Sequence, residues 1–261
     1  MNDESDYKPL VNEHYVKQAK EHKLALTSTM PDQNIRRKEI ENIVKYLVDG
    51  EKCLEIGCGN GAASVMISKI RNLKLLSVDS TKEMIELAKQ QSKQEVKGEL
   101  DFKHQNILEL EINEKFDTVF TIRCIINLLN WSDQKTALSN MSKIVKPNGK
   151  LVLLEAFSDG LEELNQARSE IGLEPIPPAY HNLHLKKDLV IEHLSKNGFS
   201  LIEENNFLST YYFGTRVIYP ALAKANNVKT VFNSKIDSFF SNFPSYGNFA
   251  HIKILCFKKS G

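Results

Sequence analysis

The chain has 261 residues, a formal net charge of +1 and a charged fraction of 26%. This length suits one α/β domain with insertions or two small domains, and the near-neutral balance disfavours a dedicated nucleic-acid binder. The first ten residues lack the basic and apolar regions of a signal peptide, and no run of about 18 apolar residues suggests a membrane span. We therefore expect a cytoplasmic protein that acts on a small molecule, with neither a nucleic acid nor a membrane as partner.

Residues 1–42 are expected to form an N-terminal helical cap. The first part of this region, to about residue 30, is polar and weakly periodic, and apolar residues then recur at helical spacing from Ile35 to Leu47. His14, Tyr15 and Asp32 could belong to a segment that folds over a ligand. A solvated helix is the preferred interpretation of their surroundings.

Strands and helices alternate through residues 43–157, which we expect to form the cofactor-binding core. Apolar runs predict strands over 53–56, 73–78, 100–104, 116–122 and 151–157. Helices are predicted between them, over 61–70, 82–91 and 133–145. Such alternation is typical of βαβ crossovers in a parallel sheet that carries helices on both faces.

Residues 158–261 depart from strict alternation and are expected to complete the same domain. They carry two substrate-lid insertions, over 158–185 and 208–247, and the second of these is rich in Phe and Tyr. A helix is predicted over 185–197, and strands are predicted over 199–207 and 250–257. The aromatic insertion could pack as a lid or form a homodimer contact.

The sharpest motif is Glu55-x-Gly57-x-Gly59-x-Gly61, which lies between a predicted strand and a predicted helix. Glycines permit a tight turn and let a ligand approach the backbone closely. The start of the following helix adds exposed N–H groups, which suit a carboxylate and a phosphate equally. Since Gly57-x-Gly59-x-x-Ala62 also satisfies the dinucleotide fingerprint, the glycine turn alone leaves two cofactor classes open.

Three further residues favour an adenosyl ligand with a zwitterionic tail. Glu55 would repel a pyrophosphate but could accept a hydrogen bond from an ammonium group. Asp79 closes the next predicted strand, 18 residues past Gly61, where its carboxylate could take two ribose hydroxyls. Asn106 follows the third strand, where an amide could read an adenine edge.

In order and spacing, these motifs resemble class I S-adenosylmethionine-dependent methyltransferases over about residues 40–157. The matching runs are LEIGCGNG (54–61), SVDST (77–81), FKHQNILEL (102–110), FDTVFTIRCIINL (116–128) and VKPNGKLVLLEAF (145–157). Asn106 stands where many family members have aspartate. The resemblance implies a Rossmann-like, doubly wound, mostly parallel seven-stranded sheet whose last strand is antiparallel, with helical and aromatic lid insertions.

The resemblance also implies a site for S-adenosylmethionine, with S-adenosylhomocysteine as product. Carried over to this chain, the cofactor-binding positions are Glu55, Gly57, Cys58, Gly59, Asp79, Ser80, Met84, Asn106, Ile107 and Arg123. Cys58 would contribute backbone atoms, and Ser80 and Met84 would flank the adenine. Arg123 would lie beside the sulfonium and the substrate entrance.

Three residues are candidates for the catalytic step. His181 is the preferred base because it follows a strand end, where ligands of open α/β folds bind. Histidine also titrates near neutral pH. The other interpretation is a loop histidine that is hydrogen-bonded to the backbone. Glu155 would be costly to bury unpaired, so it either faces the cleft or pairs with Arg123. Arg123, and more weakly Arg216, could bind an anionic substrate group; a structural ion pair is the alternative for Arg123.

Outside the core, four runs are similar to uncharacterised methyltransferases associated with bacterial surface-polysaccharide synthesis. These runs are TMPD (29–32), RCIINL (123–128), EAFSDGLEELN (155–165) and AYHNLH (179–184).

The predicted function is methyl transfer to oxygen or nitrogen of a small molecule, such as an activated sugar or another polysaccharide precursor. An NAD-dependent oxidoreductase and a non-catalytic cofactor-binding module are the alternatives. No metal site is predicted, because the histidines and carboxylates lack zinc-ligand spacing.

Overall fold

The computed structural model describes residues 7–25, 28 and 30–261, and it is built around one seven-stranded sheet. The strands are β1 (Lys52–Ile56), β2 (Lys74–Asp79), β3 (Glu99–His104), β4 (Phe116–Ile122), β5 (Val145–Ala156), β6 (Phe199–Asn205) and β7 (Ile252–Lys259). Their order in the sheet is β3-β2-β1-β4-β5-β7-β6. Only β7 runs against its neighbours β5 and β6, which confirms the predicted fold class.

Helices surround this sheet. They are α1 (Tyr7–His22), α2 (Gln33–Ile43), α3 (Ala62–Ile70), α4 (Lys82–Gln91), α5 (Trp131–Ile144), α6 (Ser158–Glu170), α7 (Lys187–Lys196), α8 (Ser209–Phe213), α9 (Tyr219–Ala225) and α10 (Lys235–Ser241). A π-helical turn, Gly214–Ile218, joins α8 to α9, and short 3-10 turns cover Val44–Tyr46, Ile107–Glu109 and Ile125–Asn127. In the described part of the chain, no helix is both long and apolar enough to cross a bilayer.

Apolar side chains cover both faces of the central strands. Along β5, Val152 and Leu154 pack into the core layer on one face, and Leu151 and Leu153 pack into the layer on the other. All four are fully buried. A strand covered on both faces needs apolar residues at every position, which is why the run over 151–154 does not alternate.

The first predicted lid insertion begins with a helix that belongs to the core. Within residues 158–185, α6 occupies nearly the first half, and its residues Leu161 and Leu164 are buried in the core. Their spacing of three residues places both on one helical face. The prolines of the segment lie beyond α6, in irregular backbone. The second insertion, 208–247, is largely helical as predicted, and a lid role for either segment stays a prediction.

A buried carboxylate ties the N-terminal region to the second insertion. Asp32 accepts hydrogen bonds from the backbone N–H groups of Asn34 and Ile35 and so caps α2. It also accepts from the Tyr211 hydroxyl at 2.9 and 2.8 Å and pairs with the Arg216 guanidinium at 3.0 Å. Arg216, the weaker of the two candidates for anion binding, is therefore committed to an internal ion pair. Residues 1–6 of the predicted cap and Thr29 of the TMPD run lie outside the described residues.

Candidate functional site

The turn after β1 requires glycine for steric reasons. Gly57, Gly59 and Gly61 have φ values of 83°, 54° and 75°, in the region that glycine adopts without strain. A Cβ atom on Gly57 would lie 2.5 Å from the Cβ and Sγ atoms of Cys124. The turn is thereby packed against the end of β4, and its backbone faces a cleft.

Asp79, at the end of β2, holds the glycine turn in place. Its carboxylate accepts a hydrogen bond from the Gly59 N–H at 2.8 Å and another from the Thr81 N–H at 2.8 Å. Burial raises the pKa of Asp79, while these two hydrogen bonds oppose the rise. Each carboxylate oxygen can accept more than one hydrogen bond, so Asp79 can hold the turn and still accept from a ligand.

Glu55 lies beneath the turn with its carboxylate almost completely buried. One carboxylate oxygen accepts from the Ser64 hydroxyl at 2.5 Å and from the Ser77 hydroxyl at 2.9 Å. Burial raises the pKa of Glu55, and the two serines lower it. The cleft therefore has two carboxyl groups, Glu55 and Asp79, in a poorly hydrated setting that a cationic ligand would stabilise.

The cleft has a volume of about 290 Å³ and brings together nine of the ten predicted cofactor-binding residues. Those that line it are Glu55, Gly57, Cys58, Gly59, Asp79, Ser80, Asn106, Ile107 and Arg123. Asn106 caps the 3-10 turn over 107–109 by accepting from the Leu108 N–H at 3.0 Å. The amide of Asn106 thus helps to shape the wall as well as lining it.

Of the expected cofactor contacts, that of Met84 is contradicted and that of Cys58 is narrowed to one atom. Met84 is fully buried and does not line the cleft, because the phase of α4 turns Met84, Ala88 and Gln91 toward the interior. The backbone of Cys58 is also engaged internally, since its N–H donates to the Val78 carbonyl at 3.0 Å and its carbonyl accepts from the Gly61 N–H at 3.1 Å. Only the second lone pair of that carbonyl could serve a ligand.

The N-terminal helix forms one wall of the cleft, contrary to the preferred interpretation of a solvated helix. Its contributing side chains are Tyr7, Lys8, Val11, Asn12 and Tyr15. Tyr15 donates a hydrogen bond from its hydroxyl to the Asn127 amide oxygen at 3.0 Å, which joins α1 to the end of β4. Burial raises the pKa of Tyr15 above its usual range, so it acts here as a neutral donor.

Glu155, expected to act in catalysis, instead stabilises a turn. It is fully buried, and its carboxylate accepts from the backbone N–H groups of Cys124 at 2.9 Å and Ile125 at 3.0 Å. Those N–H groups begin the 3-10 turn over 125–127 and have no partner within it. Glu155 does not line the cleft, and its carboxylate contacts these backbone N–H groups rather than Arg123, so the structure contradicts both the expected position in the cleft and the alternative pairing with Arg123.

Arg123 pairs with a residue that the sequence reading did not single out. Its Nε atom lies 2.7 Å from the carboxylate of Glu39, whose other oxygen lies 3.0 Å from the Arg36 guanidinium. Glu39 is fully buried. Arg123 also has a positive φ of 54°, which directs the chain sharply out of β4. The structural ion pair expected as one alternative is present, and Arg123 lines the cleft as well.

His181 does not line the cleft but lies in an aromatic cluster next to α1. Its ring stacks on His14 with ring centres 4.0 Å apart, and the Tyr180 ring meets it edge-on at 4.9 Å. Burial, with smaller effects from His14 and Arg123, lowers the pKa of His181 to about 4. The imidazole is therefore neutral near pH 7.

A second histidine pair occupies the carboxyl edge of β5. His184 and His251 stack with ring centres 5.0 Å apart, and the Tyr212 ring meets His251 edge-on at 4.9 Å. The His251 carbonyl accepts from the Phe157 N–H at 2.7 Å, which fixes its position at the end of β5. Within the described chain, the Nδ1 atoms of His181, His184 and His251 are buried without a hydrogen-bond partner.

Comparison with known proteins supports the sequence motifs. Residues 53–149 match a protein family described as a methyltransferase domain. An O-methyltransferase of Aspergillus nomiae is 27% identical over 43% of this chain and 49% of its own length. A demethylmenaquinone methyltransferase of Oceanobacillus iheyensis is 32% identical over 45% of this chain and 50% of its own length. The chain thus spans about half the length of these curated relatives.

Solved structures resemble the whole chain. Magnesium protoporphyrin IX methyltransferase from Synechocystis, crystallised with S-adenosylmethionine, superposes with a TM-score of 0.60 at 14% identity and covers 98% of both chains. This likeness shows the fold. Within the described residues, no group of three or more His, Cys, Asp or Glu side chains is arranged to hold a metal ion.

Proposed function

We propose that this chain is an S-adenosylmethionine-dependent methyltransferase that acts on a small molecule. The observation that carries the proposal is the cleft itself, where Asp79 binds the glycine turn and nine positions expected from the motifs line the same cavity. The family match over residues 53–149 includes all nine of these positions. Methyltransferases among the relatives and structural neighbours support the same activity.

The charges around the cleft favour S-adenosylmethionine over NAD. Of the basic side chains that line it, Arg36 and Arg123 contact Glu39, and Lys8 lies 3.4 Å from Asp133. The basic side chains are thus already paired with carboxylates, whereas Glu55 and Asp79 add two further carboxyl groups to the cleft. A sulfonium and an ammonium would relieve the cost of burying those carboxylates, whereas a pyrophosphate would add to it.

The residues of the chain would act by alignment and by taking up a proton. When bound, the cofactor supplies a methyl group that is already activated. The glycine turn and Asp79 would fix its position, and Tyr15 with Arg123 would border the side from which an acceptor approaches. Alignment of this kind supplies much of the rate enhancement in a displacement. A hydroxyl or protonated amine acceptor must also lose a proton, and the neutral imidazole of His181 is the proposed recipient.

The proposed acceptor is a small polar molecule methylated on oxygen or nitrogen, such as an activated sugar or another polysaccharide precursor. Hydrogen-bonding side chains outside the glycine turn also line the cleft, among them Asn12, Tyr15 and Asn127. Such groups suit a hydroxylated acceptor better than an apolar one. A panel of sugar nucleotides, phenols and amines, with S-adenosylhomocysteine release as the readout, would identify the class.

Calorimetry with S-adenosylmethionine, S-adenosylhomocysteine and NAD tests the proposed activity. Binding of both adenosyl ligands without binding of NAD supports it. Tight binding of NAD without binding of S-adenosylmethionine would favour an oxidoreductase and contradict the proposal. Cofactor binding without turnover on any acceptor of the panel would favour a non-catalytic module.

Asp79→Ala is expected to weaken S-adenosylmethionine binding by about 1–3 kcal/mol, through loss of charge-assisted hydrogen bonds. The change also removes the acceptor of the Gly59 N–H, so affinity for S-adenosylhomocysteine should fall in parallel. Titration calorimetry measures both. Asp188→Ala, an exposed aspartate of α7, is the matched control and should bind like the parent chain. Unchanged affinity in Asp79→Ala would show that the ribose is not held there.

His181→Ala is expected to lower turnover by about a hundredfold or more, as for loss of a general base, while affinity for S-adenosylmethionine stays the same. His22→Ala, at an exposed position on α1, should leave both unchanged. The rate is measured as S-adenosylhomocysteine release with a hydroxylated acceptor found in the panel. A fully active His181→Ala variant would remove this residue as the base without affecting the proposed cofactor.

A further inference from the structure

Large apolar side chains are exposed mainly in one stretch of the chain. Of the eighteen that are exposed in the described residues, nine fall within residues 218–246. Phe232, Phe239 and Tyr246 are 62%, 59% and 75% exposed. On α10, Ile236 and Phe239 are three residues apart and so share one face, and the ring of Phe243, just beyond the helix, lies 4.8 Å from that of Phe239. An exposed cluster of this kind marks a surface that binds something.

The exposed charges of the same stretch are positive. From residue 206 to residue 261 the only acidic residue is Asp237, and it is buried inside the capping box of α10 with Ser234. Lys224, Lys229 and Lys235 are all exposed in this stretch. We call residues 218–246 the aromatic face. Its exposed surface is apolar and basic, with no carboxylate from its own residues.

We propose that the aromatic face docks on the surface of an anionic lipid bilayer. Aromatic rings on an exposed face are suited to the headgroup region of a membrane. Lysine side chains can lie along such a surface and place their ammonium groups among anionic headgroups. The exposed aromatic rings match the polarity of the headgroup region. The lysines, with Asp237 buried, match the negative charge of the bilayer. The proposal does not depend on methyl transfer, and it replaces the expectation from composition that no membrane is a partner.

A second copy of this chain is a poorer occupant. A two-fold dimer would place the aromatic face against itself, so that the exposed lysines of one copy would face those of the other. Like charges brought together across an interface oppose association. The homodimer contact considered from the sequence is therefore the weaker explanation of the same residues.

The aromatic face adjoins the carboxyl edge of the sheet. The Arg216 guanidinium lies 5.0 Å from the centre of the Phe232 ring and 5.5 Å from that of Tyr212. Tyr212 in turn contacts His251 at the end of β5. Docking through the aromatic face would therefore bring a bilayer next to the edge at which the histidines gather.

Vesicle flotation of the full chain tests the proposal. The chain should float with vesicles of phosphatidylcholine that contain about one third phosphatidylglycerol, and much less with phosphatidylcholine alone. Raising the salt to about 0.5 M should release it, since the Debye length then falls to a few ångströms. Absence of flotation with the anionic vesicles, or equal flotation with both compositions, would overturn the proposal.

Two pairs of variants locate the binding surface. Lys229→Glu with Lys235→Glu should reduce partition onto anionic vesicles about tenfold or more. Lys89→Glu with Lys93→Glu, at exposed positions of and just beyond α4, makes the same change in net charge elsewhere and should not. Phe239→Ser with Phe243→Ser should also reduce flotation, whereas Val48→Ser with Ile202→Ser, at other exposed apolar positions, should not.

Two results would assign the aromatic face to something else. If both lysine pairs reduce flotation equally, overall charge rather than this face attracts the vesicles. If light scattering shows a dimer that Phe239→Ser with Phe243→Ser dissociates, a second copy covers the face. Circular dichroism confirms that each variant is folded, and the lysine pairs provide the test even if the phenylalanine pair unfolds.

Discussion

Glu39→Ala is expected to lower the free energy of unfolding by about 3–5 kcal/mol, the usual cost of removing one partner from a buried ion pair. The Glu39 carboxylate is fully buried and contacts the guanidinium groups of both Arg123 and Arg36. Its removal leaves two buried cations close together without the carboxylate that separates them. Because Arg36 and Arg123 also line the cleft, affinity for S-adenosylmethionine should fall as well.

Glu41→Ala is the matched control for this prediction. Glu41 lies on the same helix, two residues further on, and forms an exposed pair with Arg37 at 2.9 Å. Such pairs contribute about 1 kcal/mol or less, so Glu41→Ala should barely change stability. Urea unfolding near neutral pH measures both variants. A Glu39→Ala variant as stable as Glu41→Ala would show that the two arginines do not need this carboxylate.

The parts of the site that sequence reading predicted are those fixed by local backbone chemistry. The turn after β1 needs glycine at Gly57 because of its positive φ and its closeness to Cys124. Asp79 follows from position, since parallel strands end at the same edge of a sheet and the carboxyl ends of β1 and β2 are neighbours. Both features depend on residues in or next to the first two strands, so they could be predicted without knowing the rest of the fold.

The errors concern side chains whose partners are distant in sequence. Glu155 looked like a cleft carboxylate because nothing nearby in sequence could satisfy it, yet its partners are backbone N–H groups about thirty residues earlier. Glu39 was given no role from the sequence, and its partner Arg123 lies 84 residues away. Pairings of this kind depend on which turn is placed over which strand, and residue type alone does not specify that.

The wall formed by α1 was missed for a different reason. The helix has almost no buried apolar residue, only Ala19, so the usual signal of a packed helix is absent. Its contact with the core is made by tyrosine hydroxyls, such as that of Tyr15 on Asn127. Met84 could have been predicted correctly, since its helical phase matches that of Ala88 on the interior side of α4.

Acidification is expected to destabilise the chain through its stacked histidines. Burial lowers the pKa of His251 to about 3, with smaller effects from His184, Arg216 and Arg123, and burial lowers that of His184 to about 4. In the unfolded chain a histidine binds its proton below about pH 6.5. Between these values the unfolded state binds more protons than the folded state, so stability falls as the pH falls from about 6.5 toward about 4.

The variant His251→Gln isolates this effect, because glutamine cannot titrate. For the parent chain, His251 alone should account for about 2 kcal/mol of the stability lost over that pH range, less than the roughly 3 kcal/mol of the undiscounted shift because the ring is partly exposed. Urea unfolding across the range should give a flatter pH dependence for His251→Gln and an unchanged one for the exposed His22→Gln control. Equal slopes in the parent chain and His251→Gln would contradict a neutral, buried imidazole.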